Sequence, residues 1–204
     1  FGVNFYPKNK RTLPLYIRGT DFLRPIKYYE SKGSAQVKSS VMLAALSTPG
    51  TTKIVAHKSR DHTEILFKYL KIPIKIKKTK KLSFIEIEVK NNIKSFNYNI
   101  SSDISSSAFF IVLTLLSKKS SLTVKNVNIN PSRAGSIIIL NKMGAKIIFR
   151  NKRKYKGEKI ADIYVKSAKS LKAIKCPTKY NSSSIDEFLI IFLVAAKSKG
   201  ISFF

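Results

Sequence analysis

Three stretches of this chain align with one another without gaps: SAQVKSSVMLAALSTPGTTKI from Ser34, DISSSAFFIVLTLLSKKSSLT from Asp103 and SIDEFLIIFLVAAKSKGISFF from Ser184. Each opens on small or acidic polar residues, runs through an apolar helix-like block, breaks at Gly or a Lys pair and enters a β-prone stretch. An internal repeat of this kind restricts the chain to folds made of duplicated strand–helix units. It also puts Ser34, Ala35 and Gln36, then Asp103, Ser105 and Ser106, then Ser184 and Asp186 at helix N-termini. There the backbone N–H groups lack intrahelical partners and the helix dipole is positive. Such ends bind anions, so several in equivalent places predict a site for a multiply charged anion.

The charge balance is consistent with that site but does not by itself choose it. The 204 residues carry a formal charge of +28, nearly all of it from Lys. A nucleic acid held through its phosphates would suit this charge. Equally, the lysines decorate solvated faces and the functional anion is small. The runs KIKKTKK (residues 75–81) and NKRKYK (residues 151–156) sit between strand-like segments and read as loops. They lack the Arg and aromatic interleaving of a base-stacking surface, which argues against nucleic acid as a partner. With 44% hydrophobic residues the chain has enough apolar surface for a real core.

Other classes of site have little to build on. The single cysteine, Cys176, allows no intrachain disulfide and no thiol metal cluster, and His57 and His62 alone make no metal site. The longest apolar run, residues 188–196, falls far short of the roughly 20 residues of a membrane span, and no signal peptide opens the chain. A reducing cytoplasm without membrane partners is expected. The chain begins at Phe1 and stops at Phe204 inside what reads as a buried strand, so an internal fragment of a longer protein is expected.

Period-two alternation predicts strands over 13–18, 26–31, 84–90, 96–100 and 160–166. The repeat predicts helices over 35–47, 105–117 and 185–197, apolar almost all round and hence buried. A second, amphipathic helix type is also repeated: SRDHTEILFKYLKIPIKI from Ser59 aligns with SRAGSIIILNKMGAKIIF from Ser132. The resulting order is strand, helix, strand, helix, strand, strand. That unit runs once from about Leu13, again from about Phe96, and a third begins near Ile160. Units of about 70 to 80 residues exceed solenoid repeats, so an α/β lobe of duplicated units is expected.

The segment GSAQVKSS at residues 33–40, followed by an apolar helix, TPGTT, and HKSRDHTE at residues 57–64, resembles the 5-enolpyruvylshikimate-3-phosphate synthases (3-phosphoshikimate 1-carboxyvinyltransferases). The likeness continues collinearly through PKNKRTLP (7–14), LYIRG (15–19), DISSSAF (103–109), NINPSRAG (128–135), KMGA (142–145), ADIYV (161–165) and IDEFLIIFLVAA (185–196), essentially the whole chain. Ser102 stands where the family usually has Gly, and Lys118–Lys119 replaces a Pro–Gly turn. The family's N-terminal Lys-Ser and Arg, its Gly-rich segment and its late Lys-Glu and Arg motifs have no counterpart here. The resemblance implies two lobes of three βαβαββ units each, with helix N-termini facing the cleft between them. Residues 1–100 would then belong to the first lobe, and residues 101–204 to the second.

What the resemblance implies chemically is transfer of the enolpyruvyl group of phosphoenolpyruvate to the 5-hydroxyl of shikimate 3-phosphate, with release of phosphate. No metal or organic cofactor and a monomeric protein are implied, and this chain alone is expected to be inactive. Ser34 and Ala35 would hold the shikimate phosphate, while Gln36, both donor and acceptor, would contact both substrates. Ser34 also reads as a plain N-cap, and Gln36 as a surface helix residue. Asp186 would be the base at the 5-hydroxyl; otherwise Asp186 and Glu187 merely favour the positive helix start. Ser59 and Arg60 open the second helix type near the cleft, with Arg133 in the equivalent place, and both arginines could instead pair with carboxylates. A related transferase acting on UDP-N-acetylglucosamine and a basic nucleic-acid-binding protein are the alternatives.

Overall fold

A computed structural model describes residues 1–9, 12–90 and 92–204. Lys10 and Arg11 of the PKNKRTLP run lie outside the described residues. The chain divides into two compact units, Phe1–Ser95 and Phe96–Phe204.

The first unit opens with a small antiparallel ribbon of β1 (Asn4–Tyr6) and β2 (Tyr16–Arg18), the latter shorter than the strand expected over 13–18. A complete βαβαββ unit follows: β3 (Lys27–Glu30), α1 (Ala35–Ala45), β4 (Thr51–His57), α2 (His62–Tyr69), β5 (Ile74–Lys78) and β6 (Leu82–Glu88). Its sheet has the order β3-β4-β6-β5, with β3 and β4 parallel and the other neighbours antiparallel. Alternation builds it. Thr52, Ile54 and Ala56 of β4 and Ser83, Ile85 and Ile87 of β6 turn inward. Met42 and Ala45 of α1 and Phe67 of α2 join their apolar members in one core. Each Ile, Met or Phe side chain among them contributes about 1.5–3 kcal/mol by leaving water.

The run over 75–81 is not a loop, contrary to its charge-based reading. Most of it lies in β5, where Ile74 and Ile76 are half-buried while Lys75 and Lys77 stand outward. The same correction holds for 151–156, of which all but Lys156 lies in β8 (Ile147–Tyr155). A strand needs only one apolar face, so alternate lysines cost nothing.

The second unit contains α3 (Ile104–Leu116), β7 (Ser121–Asn128), α4 (Gly135–Lys142), β8 and β9 (Glu158–Lys166), with an antiparallel sheet ordered β7-β9-β8. The strand expected over 96–100 is absent. Only Ser102 makes a parallel bridge, to Val127, through Ser102 N–H to Asn126 O (2.9 Å) and Asn128 N–H to Ser102 O (3.0 Å). The preceding residues turn to Tyr155 instead: Asn99 N–H donates to its hydroxyl at 3.1 Å, and the Tyr98 ring packs edge-on against it.

Nor does a third unit begin near Ile160. β9 is the central strand of the second unit's sheet, and the next parallel pairing is the two bridges Lys172–Lys199 and Lys175–Phe203. Between them come a 3-10 turn (Thr178–Tyr180), the short α5 (Asn181–Ser184), a second 3-10 turn (Ile185–Glu187) and α6 (Phe188–Ala196). The chain end is not a buried strand either: Phe203 and Phe204 are exposed, with Phe204 packed edge-on against Phe188 and Phe192.

The three apolar helices are buried on one side only, which corrects the expectation of full burial. Leu43 of α1, Phe109, Phe110 and Leu113 of α3 and Leu189 of α6 are all more than half exposed. Within its own unit each helix rests one face on its neighbours, as Ile104, Ala108, Ile111 and Leu115 of α3 do, and composition does not reveal which face that is.

Candidate active site

In the first unit the two most specific motifs open at one edge of the sheet. Because β3 and β4 run parallel, with Glu30 opposite Ala56, the chain leaves both strands at the same end. One exit leads through Gly33 into α1, the other through residues 58–61 into α2. They approach closely: a Cβ on Gly33, whose φ of +71° suits glycine, would lie 3.8 Å from His57 Cβ and Lys58 O. The carboxyl ends of parallel strands, followed by helix N-termini, are where α/β folds receive ligands.

Ser34 N-caps α1, its Oγ accepting from Val37 N–H at 3.3 Å, which leaves the hydroxyl hydrogen to donate elsewhere. Ala35 is half-buried and Gln36 exposed in the first turn. Ser59 and Arg60 are half-buried in the loop before Asp61, the N-cap of α2, and Ser59 Oγ is enclosed with no hydrogen-bond partner.

Two residues that the sequence reading passed over tie this edge together. Lys38, one turn into α1 and 1% exposed, sends its ammonium 2.7 Å to Glu64 Oε1 of α2 and 2.7 Å to the carbonyl of Arg60. Ser39 and Thr63 share a hydroxyl–hydroxyl hydrogen bond of 2.7 Å beside it. Lys38, Ser39, Thr63 and Glu64 thus link the two helix starts, with the charged pair buried.

In the second unit Asp103 N-caps α3, its Oδ2 accepting from Ser106 N–H (2.9 Å) and Ser106 Oγ–H (3.1 Å). Arg133, just before α4, pairs with Asp103 Oδ1 at 2.9 Å and donates to Ser105 Oγ at 2.6 Å. Ser105 in turn donates to the carboxylate of Glu187, which is buried at the start of α6. Asp186 is the exposed middle residue of the 3-10 turn before α6, not a residue inside the helix body. Helices commonly begin with such a tighter turn. The structure therefore gathers Ser34, Ala35, Gln36, Ser59 and Arg60 in the first unit, while Asp186 stands in the second beside Glu187.

Partial burial pushes the Asp103 carboxyl up, but the Ser106 N–H, the Arg133 guanidinium and the Ser106 hydroxyl outweigh it and hold it below the ordinary 3.8. The Asn151 side chain, with the Asn126 N–H, likewise lowers Asp162. Burial raises the Cys176 thiol. Among the described residues no three His, Cys, Asp or Glu side chains gather as a metal site would need, and no helix is long and apolar enough to cross a membrane.

A family model described as EPSP synthase (3-phosphoshikimate 1-carboxyvinyltransferase) matches residues 2–203. A 3-phosphoshikimate 1-carboxyvinyltransferase from Petrotoga mobilis is 38% identical over 200 residues, covering 98% of this chain and 45% of that protein. Among solved structures, an EPSP synthase from Acinetobacter baumannii superposes with a TM-score of 0.82 at 34% identity, over 98% of this chain and 44% of its own. The enolpyruvyl transferase NikO from Streptomyces tendae gives 0.64 at 13% identity over 98% of this chain and 47% of its own, a likeness of fold alone. This chain thus spans less than half the length of the relatives it matches. Matched almost end to end by that family model and by relatives of that name, the chain belongs to the EPSP synthase (3-phosphoshikimate 1-carboxyvinyltransferase) family.

Proposed function

We propose that the protein carrying this chain transfers the enolpyruvyl group of phosphoenolpyruvate to the 5-hydroxyl of shikimate 3-phosphate, a step toward chorismate and the aromatic amino acids. The hydroxyl oxygen bonds to the central carbon of phosphoenolpyruvate, whose methylene carbon gains a proton. That methyl group then gives up a proton as the C–O bond to phosphate breaks, restoring the double bond and releasing phosphate. Asp186 takes the hydroxyl proton. Ser34 and Ala35 hold the shikimate phosphate through hydroxyl and backbone N–H, Arg60 and Ser59 stand near it, and Gln36 contacts both substrates. The protein works as a cytoplasmic monomer with these two small anions as its partners. It needs no metal or organic cofactor.

The observation that carries this reading is the meeting of GSAQVKSS and HKSRDHTE at the carboxyl ends of two parallel strands, each opening a helix. The test is phosphate release from phosphoenolpyruvate by the full protein, with and without shikimate 3-phosphate, in the presence of a chelator. Release that requires shikimate 3-phosphate and survives chelation is expected. Release that ignores shikimate 3-phosphate, or that needs added metal, refutes the proposal. This chain by itself, spanning less than half of its relatives, is expected to show no turnover.

A further inference from the structure

The Lys38–Glu64 pair is an expensive way to join two helices. Both side chains are almost fully buried, at 2% and 3% exposure, and taking two charges out of water costs several kcal/mol per ion, which their attraction repays only in good geometry. Apolar residues of similar volume commonly hold such a contact as well or better. What apolar residues cannot do is grip a backbone carbonyl. Lys38 does this: besides Glu64 it donates at 2.7 Å to the carbonyl of Arg60, in the peptide that leads into the N-cap of α2. Its own backbone N–H closes the first turn of α1 on the Ser34 carbonyl at 3.1 Å. One residue therefore connects the turn bearing Ser34, Ala35 and Gln36 with the loop bearing Ser59 and Arg60.

We propose that Lys38, with Glu64 as its buried counter-ion, is a positioning residue: it fixes the Arg60 loop relative to the start of α1, so that both present to one phosphorylated ligand. Lys38 touches no substrate in this account. Glu64 aims the ammonium, and the carbonyl of Arg60 is the group it places. The bearing on substrate rests on the function proposed above, whereas the fixing of the loop does not.

The test uses the full protein with Lys38→Met and Glu64→Leu together, so that no buried charge is left unpaired and the helix–helix contact stays filled. Two readouts are taken. Peptide-level hydrogen exchange is expected to speed up over residues 59–66, whose first helical bond is Ile65 N–H to Asp61 O at 3.1 Å, with β4 and the body of α1 unchanged. The KM for shikimate 3-phosphate is expected to rise about tenfold, while the KM for phosphoenolpyruvate and the melting temperature change little. Glu64→Gln alone supplies a second arm: the amide keeps the shape of the side chain but gives up its charged contact with the Lys38 ammonium, so exchange over residues 59–66 is expected to speed up here too. Unchanged exchange in the double variant overturns the proposal whatever the activity. Faster exchange with an unchanged KM overturns its bearing on substrate. A parent protein inactive toward shikimate 3-phosphate refutes the functional reading alone, and the exchange result still decides whether Lys38 fixes the loop.

Discussion

Gly135 is the first residue of α4, and a single methyl group there tests the packing that supports the start of α6. A Cβ at this position would lie 2.2 Å from Ser183 Oγ, 2.3 Å from Ser184 Oγ and 3.0 Å from Ser183 Cβ. Neither hydroxyl can withdraw without loss. Ser183 Oγ donates to Tyr180 O at 3.0 Å, and Ser184 is completely buried. Forcing a methyl into such a contact costs about 1–3 kcal/mol, and the broken Ser183 bond adds about 0.5–1.5. Against this, alanine in place of glycine gains about 0.5–1 kcal/mol of helix preference. Gly135→Ala is thus expected to destabilise the second unit by about 1–3 kcal/mol, read as a lower midpoint in urea. Ser184→Ala should be nearly neutral alone, because its Oγ is buried without a partner. Combined with Gly135→Ala it should recover part of the loss, with a coupling of about 0.5–3 kcal/mol. A Gly135→Ala protein as stable as its parent, or more stable, would show that helix propensity wins and that the contact is soft.

Asp186→Asn keeps the shape of the side chain but cannot take a proton, so turnover in the full protein should fall by about a hundredfold to ten-thousandfold with substrate affinity nearly intact. Near-normal turnover would return Asp186 to the role of a helix-start charge. Gln36→Ala should raise the KM of both substrates, and a loss confined to one would refute the bridging role. Ser34→Ala should weaken shikimate 3-phosphate by about 1–3 kcal/mol while barely moving phosphoenolpyruvate. The lowered pKa of Asp103 predicts a pH dependence of stability. Its carboxylate stabilises the fold fully above the unfolded value near 3.8, and that contribution fades as pH falls through the lower folded value. Urea midpoints of the parent and Asp103→Asn should therefore differ at neutral pH and converge in acid. A gap that persists at low pH would refute this account.

Much of the fold was legible because the repeat is written in two periodicities at once. The alternation of β6, with Ser83, Ile85 and Ile87 inward, and the block of α3 both stand in the sequence nearly where they stand in the structure. The lysine run over 75–81 misleads because its charge masks the alternation beneath it. In Ile74-Lys75-Ile76-Lys77 the period of two was already present, and β5 follows it. The lost strand over 96–100 has a different cause. That segment has β-like composition, but its bonds go to the Tyr155 side chain, a partner far away in sequence. Bulges were equally out of reach. Asn126 and Asn151 take positive φ where the registers of β7 and β8 slip on either side of β9, and the Asp162 carboxylate accepts from Asn126 N–H and Asn151 Nδ2 at 2.8 Å each. Only the assembled sheet brings those three residues together.

The helix starts were legible where a polar residue caps them, as at Ser34 and Asp103, and the link between α1 and α2 was obscure because its charges are buried. A signal for Lys38 did exist: it shares the core stripe of α1 with Met42 and Ala45, as Glu64 shares that of α2 with Phe67. Opposite charges at core positions of successive helices are rare unless paired. The repeat also shows why equivalent residues need not share a role. At the place of Lys38 the second unit has Ser107, whose hydroxyl turns back to Asp103 O at 2.6 Å, and at the place of Glu64 it has buried Ile137. No ammonium reaches from α3 to the loop before α4. The link runs the other way, from the guanidinium of Arg133 to Asp103 and Ser105. In the first unit the link engages Arg60 through its carbonyl; in the second it engages Arg133 through its guanidinium. Of two arginines in the same position of a duplicated unit, Arg133 is thus tied by its side chain to the start of α3, whereas the start of α1 is tied to the backbone of Arg60.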